Sequence, residues 1–181
     1  FDGTEFKVYN TKNTEQIKAN VTRNFFMDRQ GKIWMGNGGV GILIYNGNKF
    51  DRITEEQGLS LNYPSCFEED ADGRIYIGTR CDGLNIYDRG KFSVIKKEDG
   101  LTSNYINTIL NDSKNILWIG SNDQDLLFLE RGKIKKFFDI TRKQYSRIIK
   151  LFEDSNGVIW VGTDNGIMKI KNGFSIKDEN L

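Results

Sequence analysis

Apolar residues along this chain come in short runs broken at close intervals by glycine, asparagine and aspartate, the pattern of strands joined by tight turns. One run returns at a fixed step. Ile33-Trp34-Met35-Gly36 recurs as Ile75-Tyr76-Ile77-Gly78, Leu117-Trp118-Ile119-Gly120 and Ile159-Trp160-Val161-Gly162, 42 residues on each time. Asp28, Asp70, Asp112 and Asp154 keep the same step, as do Gly31, Gly73, Asn115 and Gly157. Phe50, Phe92 and Ile134 continue it, and Phe174 falls two residues early. A period in this range marks one supersecondary unit copied along the chain.

Each copy reads as four strands, A to D. In the second copy Asp72-Gly73 lies between Cys66–Asp70 and Arg74–Thr79, and Asp-Gly suits a two-residue type I′ hairpin. Asn156-Gly157 and Gln30-Gly31 hold the same place. Arg89-Gly90 then separates Gly83–Asp88 from Lys91–Ile95, matched by Asn46-Gly47, Arg131-Gly132 and Asn172-Gly173. In strand B the residues Ile75, Tyr76 and Ile77 follow one another, where a half-solvated strand would alternate, so the sheet is expected to be covered on both faces. Four-stranded antiparallel sheets with that need predict an all-β fold of blades around an axis, a β-propeller. Glycine frequency and β-branched runs exclude a solenoid of helix pairs, and the rungs of a parallel β-helix are shorter than this period. The aromatic residues Trp34, Tyr76, Trp118 and Trp160 are expected to wedge between blades, with the nearby glycine leaving room for the neighbour's side chain.

The copies divide the chain into residues 1–22, a last strand of a preceding blade plus linker, and blades at 23–64, 65–106, 107–148 and 149–181. Phe1–Tyr9 aligns with Tyr87–Ile95 as a lone D strand, and a last D strand is expected at Phe174–Lys177. Four blades and one strand make an open arc, whereas rings close with up to about eight blades. Two flat sides of such an arc would meet water, so the chain is expected to belong to a larger propeller or to pair with a second copy.

The segment Phe152-Glu153-Asp154-Ser155-Asn156-Gly157-Val158-Ile159-Trp160-Val161-Gly162-Thr163-Asp164-Asn165-Gly166-Ile167 resembles the repeat of the two-component regulator propeller family. Cys81-Asp82-Gly83-Leu84-Asn85-Ile86-Tyr87-Asp88 with Lys91-Phe92 is similar to the next part of that repeat. Glu98-Asp99-Gly100-Leu101-Thr102-Ser103-Asn104-Tyr105-Ile106 and Gly58-Leu59-Ser60-Leu61-Asn62-Tyr63 resemble its linker. The resemblance implies the extracytoplasmic sensor region of a hybrid histidine kinase or a diguanylate cyclase, on the periplasmic or extracellular side of a bacterial membrane. It also implies a parent with more blades, and in gut bacteria a role in detecting polysaccharide breakdown products. The third copy departs most: Asn115 replaces the turn glycine, Gln124-Asp125 replaces Asp/Asn-Gly, and Asp139-Ile140-Thr141-Arg142 replaces the Gly-Leu-Ser/Thr linker.

Charge narrows the partners. Over 181 residues, 26 basic and 25 acidic side chains leave a net +1, with no like-charge run to attract nucleic acid or anionic lipid. No apolar stretch approaches the roughly 20 residues of a membrane span. Residues Phe1 to Asn10 lack the basic start and apolar stretch of a secretory signal, and the reading favoured is that the chain is cut from something longer. Histidine is absent, which removes the commonest general base and nitrogen metal ligand.

Strand direction puts the A–B and C–D turns at one end of the propeller. The other end carries the B–C loops and the linkers Tyr9–Thr22, Thr54–Pro64, Lys96–Tyr105 and Asp139–Tyr145. Binding groups gather on loops held by a rigid scaffold, so this second end is the candidate face for a small-molecule or oligosaccharide ligand. Its candidate residues are Arg80, Asp82, Asn122, Asp123, Asp164 and Asn165 in the B–C loops, with Tyr63 and Tyr105 in the linkers placed to stack on a sugar. No cofactor or metal is expected: Asp154-Ser155-Asn156-Gly157 begins like a calcium loop but lacks the later ligands, and a hairpin turn accounts for it. A two-residue turn at Asp72-Gly73 would pair residue 66 with 79 and set Cys81 diagonally from Cys66, at roughly 7 Å between Cβ atoms or less. That is a little long for a disulfide, so two free thiols are expected. The leading expectation is a non-catalytic sensing module. An interaction scaffold and a propeller lyase acting on cyclic peptide antibiotics are the alternatives.

Overall fold

The computed structural model describes residues 6–123, 125–138 and 147–170. They form four antiparallel meanders. The first is β1 (Thr22–Met27), β2 (Ile33–Asn37), β3 (Ile42–Tyr45) and β4 (Phe50–Ile53). The second is β5 (Pro64–Glu69), β6 (Ile75–Thr79), β7 (Leu84–Asp88) and β8 (Lys91–Ile95). The third is β9 (Ile106–Asn111), β10 (Leu117–Ser121), β11 (Leu126–Glu130) and β12 (Lys133–Phe138). The fourth contains β13 (Ile148–Glu153), β14 (Ile159–Thr163) and β15 (Gly166–Ile170). Its D strand, expected at Phe174–Lys177, lies outside the described residues, as do Gln124, the Asp139–Tyr145 linker and the Asn172-Gly173 turn.

Of the lone D strand expected at Phe1–Tyr9, the described residues 6–10 pair with no strand of the described blades. A D strand needs a C strand for its ladder, and here the segment packs by its side chains instead. The Tyr9 ring meets Phe50 edge-on with centroids 5.0 Å apart and lies 6.0 Å from Tyr45.

The sheets stack face to face, and three apolar clusters each straddle two of them, while a fourth packs Ile17 of the linker on Met35 and Leu43 of the first sheet. Trp34, Ile42 and Ile44 pack on Phe67, Ile75 and Ile77, and Tyr76 and Leu84 pack on Ile106, Ile109 and Ile119. Trp118, Leu126 and Phe128 pack on Ile148, Leu151 and Val161. Strands β6 and β10 are buried along their whole length, as their unbroken apolar runs require. The aromatic wedge is real: the Trp34 ring lies between blades, 6.5 Å from Phe67 and 5.4 Å from Tyr87. The glycine two residues on makes room for the next inner strand. A Cβ at Gly78 would sit 2.8 Å from Ile106 Cγ2, and one at Gly36 would sit 3.3 Å from Pro64 Cγ.

The recurring aspartate is a hairpin clamp. Asp112 Oδ1 accepts the backbone N–H groups of Lys114 and Ile116 at 2.9 and 2.8 Å, while Oδ2 accepts the Trp118 indole N–H at 2.8 Å. Asp28 does the same for Gln30, Lys32 and Trp34, and Asp154 for Asn156, Val158 and Trp160. In the second blade the Tyr76 hydroxyl takes the indole's place. The Trp160 indole N–H, then the Val158 and Asn156 amides, hold the Asp154 carboxyl below its ordinary value. Both oxygens of these side chains are thus engaged by their own turn, and among the described residues no group of acidic or cysteine side chains could hold a metal ion.

This clamp also resizes the A–B turn. Only Gly73 has positive φ (81°), Glu69 pairs with Ile75, and the Asp70 amide donates to Arg74 O. The loop is therefore three residues ending in a left-handed glycine, not a type I′ pair. The C–D turns of the second and third blades do have the two-residue form, with Arg89 at φ 48° and Gly90 at 87°, whereas in the first blade Tyr45 pairs with Phe50 and Asn46-Gly47 belongs to a longer loop. The longer A–B loop pairs Cys66 with Gly78 rather than with residue 79, and Cys81 lies beyond the end of β6.

Both cysteines are free. Cys81 is exposed, whereas burial beside Gly78 pushes the Cys66 thiol up to about 12. At pH 8 a thiol reagent should modify one group rapidly, and Cys81→Ser should abolish that fast phase; a fast phase persisting in the variant would contradict the burial. Between the ordinary value of 9.0 and about 12 the folded chain holds a proton that the unfolded chain loses, so this group's contribution to stability falls as pH rises through that window.

Candidate functional site

The inner strands β1, β5, β9 and β13 lie side by side around the axis. Each carries a register irregularity near its start. Pro64 pairs with Thr79 and Cys66 with Gly78, which leaves Ser65 as the extra residue of a bulge. Asn107 and Ile149 are the extra residues of β9 and β13, and in β1 the irregularity spans Arg23 and Asn24. A bulge bends its strand and re-aims one side chain. Here Arg23, Ser65, Asn107 and Ile149, spaced by the repeat period, all line one concavity of about 530 Å³ at the loop end of the axis.

Two further positions per blade complete this mouth. The first residue after strand B hydrogen-bonds to the linker entering the same blade: Arg80 N–H donates to Tyr63 O at 3.2 Å, Asn122 N–H to Tyr105 O at 3.1 Å and Asp164 N–H to Arg147 O at 3.2 Å. Arg80, Asn122, Tyr105 and Arg147 therefore come to the wall together. The Arg80 guanidinium lies over the Tyr63 ring, 5.0 Å from its centroid, a cation–π contact that holds it in place. Arg147 is oriented by Asp164, whose carboxylate accepts its N–H at 3.0 Å and its Nε–H at 3.2 Å. Asn107 Nδ2 donates to Asn122 Oδ1 at 3.0 Å and to Ile148 O at 2.8 Å, tying the bulge to the next blade.

Of the eight residues singled out in the sequence, Arg80, Asn122 and Tyr105 line the mouth, and Asp164 supports it through Arg147. Tyr63 does not offer its ring to a sugar, because Arg80 covers it and Gly39 packs against it. Asp82, Asp123 and Asn165 do not line the concavity. The backbone explains this: after the first loop residue the chain turns back, and Asp82, Asp123 and Asn165 each donate their N–H to the hydroxyl of Thr79, Ser121 or Thr163. The Asp82 carboxylate accepts a hydrogen bond from Lys96 Nζ at 2.7 Å, which raises the lysine's pKa. Sequence reading missed Arg23, Ser65, Asn107, Arg147 and Ile149. The available signal was that 23, 65, 107 and 149 are one repeat position, the first residue of each 42-residue copy.

A second concavity of about 510 Å³ lies at the turn end, among Met27, Arg29, Glu68, Glu69, Asn111 and Glu153. Its polar groups tie blades together. Glu69 accepts the Arg29 amide at 2.8 Å, and Glu153 accepts the Ser113 amide at 2.8 Å and its hydroxyl at 2.6 Å. Burial raises the Glu68 carboxyl above its ordinary value. The two ends thus differ in chemistry. The turn end spends its carboxylates on the fold, while the loop end presents arginine, asparagine, serine and tyrosine with no carboxylate among its lining residues.

The sequence pattern described as Two component regulator propeller matches residues 58–81, 100–123 and 144–165, three successive copies of the linker and the A–B hairpin. This chain belongs to the two-component regulator propeller family. Solved structures agree on the fold of this two-component regulator propeller. The extracellular domain assigned to hybrid two-component system BT3049 of B. thetaiotaomicron superposes with a TM-score of 0.76 at 20% identity, over 90% of this chain and 23% of that one. The corresponding domain of BT4673 from the same organism gives 0.72 at 22%, over 84% and 23%. An inactive virginiamycin B lyase from Staphylococcus aureus, with a histidine replaced by alanine and quinupristin present, gives 0.65 at 15%, over 87% and 58%. The propeller described here therefore spans less than a quarter of the B. thetaiotaomicron domains it matches. No curated protein matches it. Among its described residues no helix is long and apolar enough to cross a membrane.

Proposed function

We propose that this chain is a ligand-sensing part of the extracytoplasmic input region of a bacterial two-component protein, a hybrid histidine kinase or a related signalling protein. In this reading it binds an oligosaccharide at the loop-end mouth and catalyses nothing itself. The observation that carries it is the contrast between repeated and unrepeated positions. Residues the fold needs recur in every blade, as the clamp aspartates do. The mouth positions change from blade to blade: Arg, Ser, Asn, Ile at the bulge, and Arg, Asn, Asp after strand B. A ring of positions freed from the repeat around one concavity is what selective binding requires. The family and the named neighbours support the extracytoplasmic setting. Further blades or a second copy would cover the flat sides that expose Phe25 and Trp160.

The lyase-like neighbours raise a second chemistry. The inactive lyase lost a histidine, this segment has none, and its mouth lacks a paired base and nucleophile. A glycan array followed by titration of the hits tests the proposal. Binding of an oligosaccharide that Tyr105→Ala and Asn122→Ala weaken about tenfold is expected, on the scale of one stacking or polar contact. Cleavage of a streptogramin, or protein capture with no glycan bound, would overturn it.

A further inference from the structure

We infer that the loop-end mouth selects an oxyanion, so that its ligand is an acidic sugar bearing a carboxylate or a sulfate rather than a neutral one; this rests on the reading of that mouth as the ligand site. Three arginines line it, Arg23, Arg80 and Arg147, on a chain whose net charge is only +1. No aspartate or glutamate lines the same wall. The carboxylate that touches it from behind, Asp164, holds Arg147 through Nε and the main-chain amide, an orientation that keeps the outer edge of the guanidinium available. Arg80 is fixed over Tyr63. Arg23 forms no ion pair among the described residues.

None of the three cations is demanded by the fold. Repeat positions equivalent to Arg23 hold Ser65, Asn107 and Ile149; those equivalent to Arg80 hold Gly38, Asn122 and Asp164; those equivalent to Arg147 hold Val21, Tyr63 and Tyr105. Each arginine thus comes from a different blade and a different repeat position, yet all three reach one concavity. Guanidinium groups match carboxylate and sulfate in planar, paired hydrogen bonds. Asn122, Asn107 and Ser65 add neutral polar groups suited to sugar hydroxyls, and Tyr105 adds a ring.

Calorimetric titration tests this with four probes: digalacturonate, the neutral digalactose of the same linkage, a sulfated disaccharide, and sodium sulfate alone. An acidic disaccharide is expected to bind at least tenfold tighter than the neutral one. Arg80→Gln and Arg23→Gln should each weaken it about tenfold, with Arg80→Lys restoring part, and added salt should weaken it further. Circular dichroism of each variant should match the parent, since these side chains are exposed or half-buried. Equal binding of neutral and acidic sugars, or arginine variants without effect, overturns the oxyanion inference while leaving a sugar sensor standing. Binding of sulfate but of no sugar, lost in Arg80→Gln, supports the oxyanion site and overturns the sugar reading. No binding by any probe overturns both.

Discussion

Replacing Asp112 with alanine is expected to lower the unfolding free energy by about 3–4 kcal/mol. Three donors lose their acceptor at once: the Trp118 indole N–H and the amides of Lys114 and Ile116. The indole is the costly one, because Trp118 is only 2% exposed between two blades and water cannot replace the carboxylate there. Hydrogen bonds to a charged acceptor are worth about 1.5–3 kcal/mol each, and the two turn amides can recover part of that loss from solvent. The same change at Asp154 should cost markedly less, since its partner Trp160 is 37% exposed and already meets water. Urea unfolding of the two variants provides the comparison; equal losses would show that the clamp acts through the turn alone.

Gly78→Ala should destabilise by about 2–3 kcal/mol, the range for overpacking a tight interior. The new methyl carbon would lie 2.5 Å from Cys66 Sγ and 2.8 Å from Ile106 Cγ2. Ile106 is fully buried and β-branched, so it has little rotamer freedom with which to yield. Gly36→Ala, with its nearest contacts at 3.3 Å, should fall between Gly78→Ala and Gly162→Ala. Gly162→Ala should stay within about 0.5 kcal/mol, because its nearest neighbour is 3.5 Å away. Melting temperatures that fail to follow the order Gly78, Gly36, Gly162 would disprove the inter-blade origin of the requirement.

The sequence announced what every blade needs and hid what single blades do. The step of the Ile-Trp-Met-Gly run was enough for strand order and for the wedge, because each copy must bury the same two faces. Lys91–Ile95 was read to the residue, since Arg89-Gly90 leaves one choice of turn. The A–B loop was misjudged because its size is set by a side chain outside the pair, Asp70, which draws in the amides of Asp72 and Arg74. The aspartate's partner was visible as a constant separation of six residues from the aromatic, but a bond across a hairpin has no local signature. The bulges were silent for a different reason. Ser65 and Asn107 are unremarkable strand residues, and only the pairing of their neighbours shows that they have dropped out of the ladder. Chain direction pointed to the end of the axis that carries the first concavity and to three of its wall residues, while Asp82, Asp123 and Asn165 lie in hydroxyl-capped turns away from it.

One repeat position, 23, 65, 107 and 149, faces the mouth and lies outside the regular pairing of its strand. Among the described residues the Arg23 and Ile149 side chains make no hydrogen bond to a following blade, unlike Ser65 and Asn107. Randomising those two sites should therefore yield a collection of variants that melt alike and differ in what they hold. In the proposed sensing role, the first and fourth blades would each bring one exchangeable side chain to a shared mouth, so that selectivity would change one blade at a time.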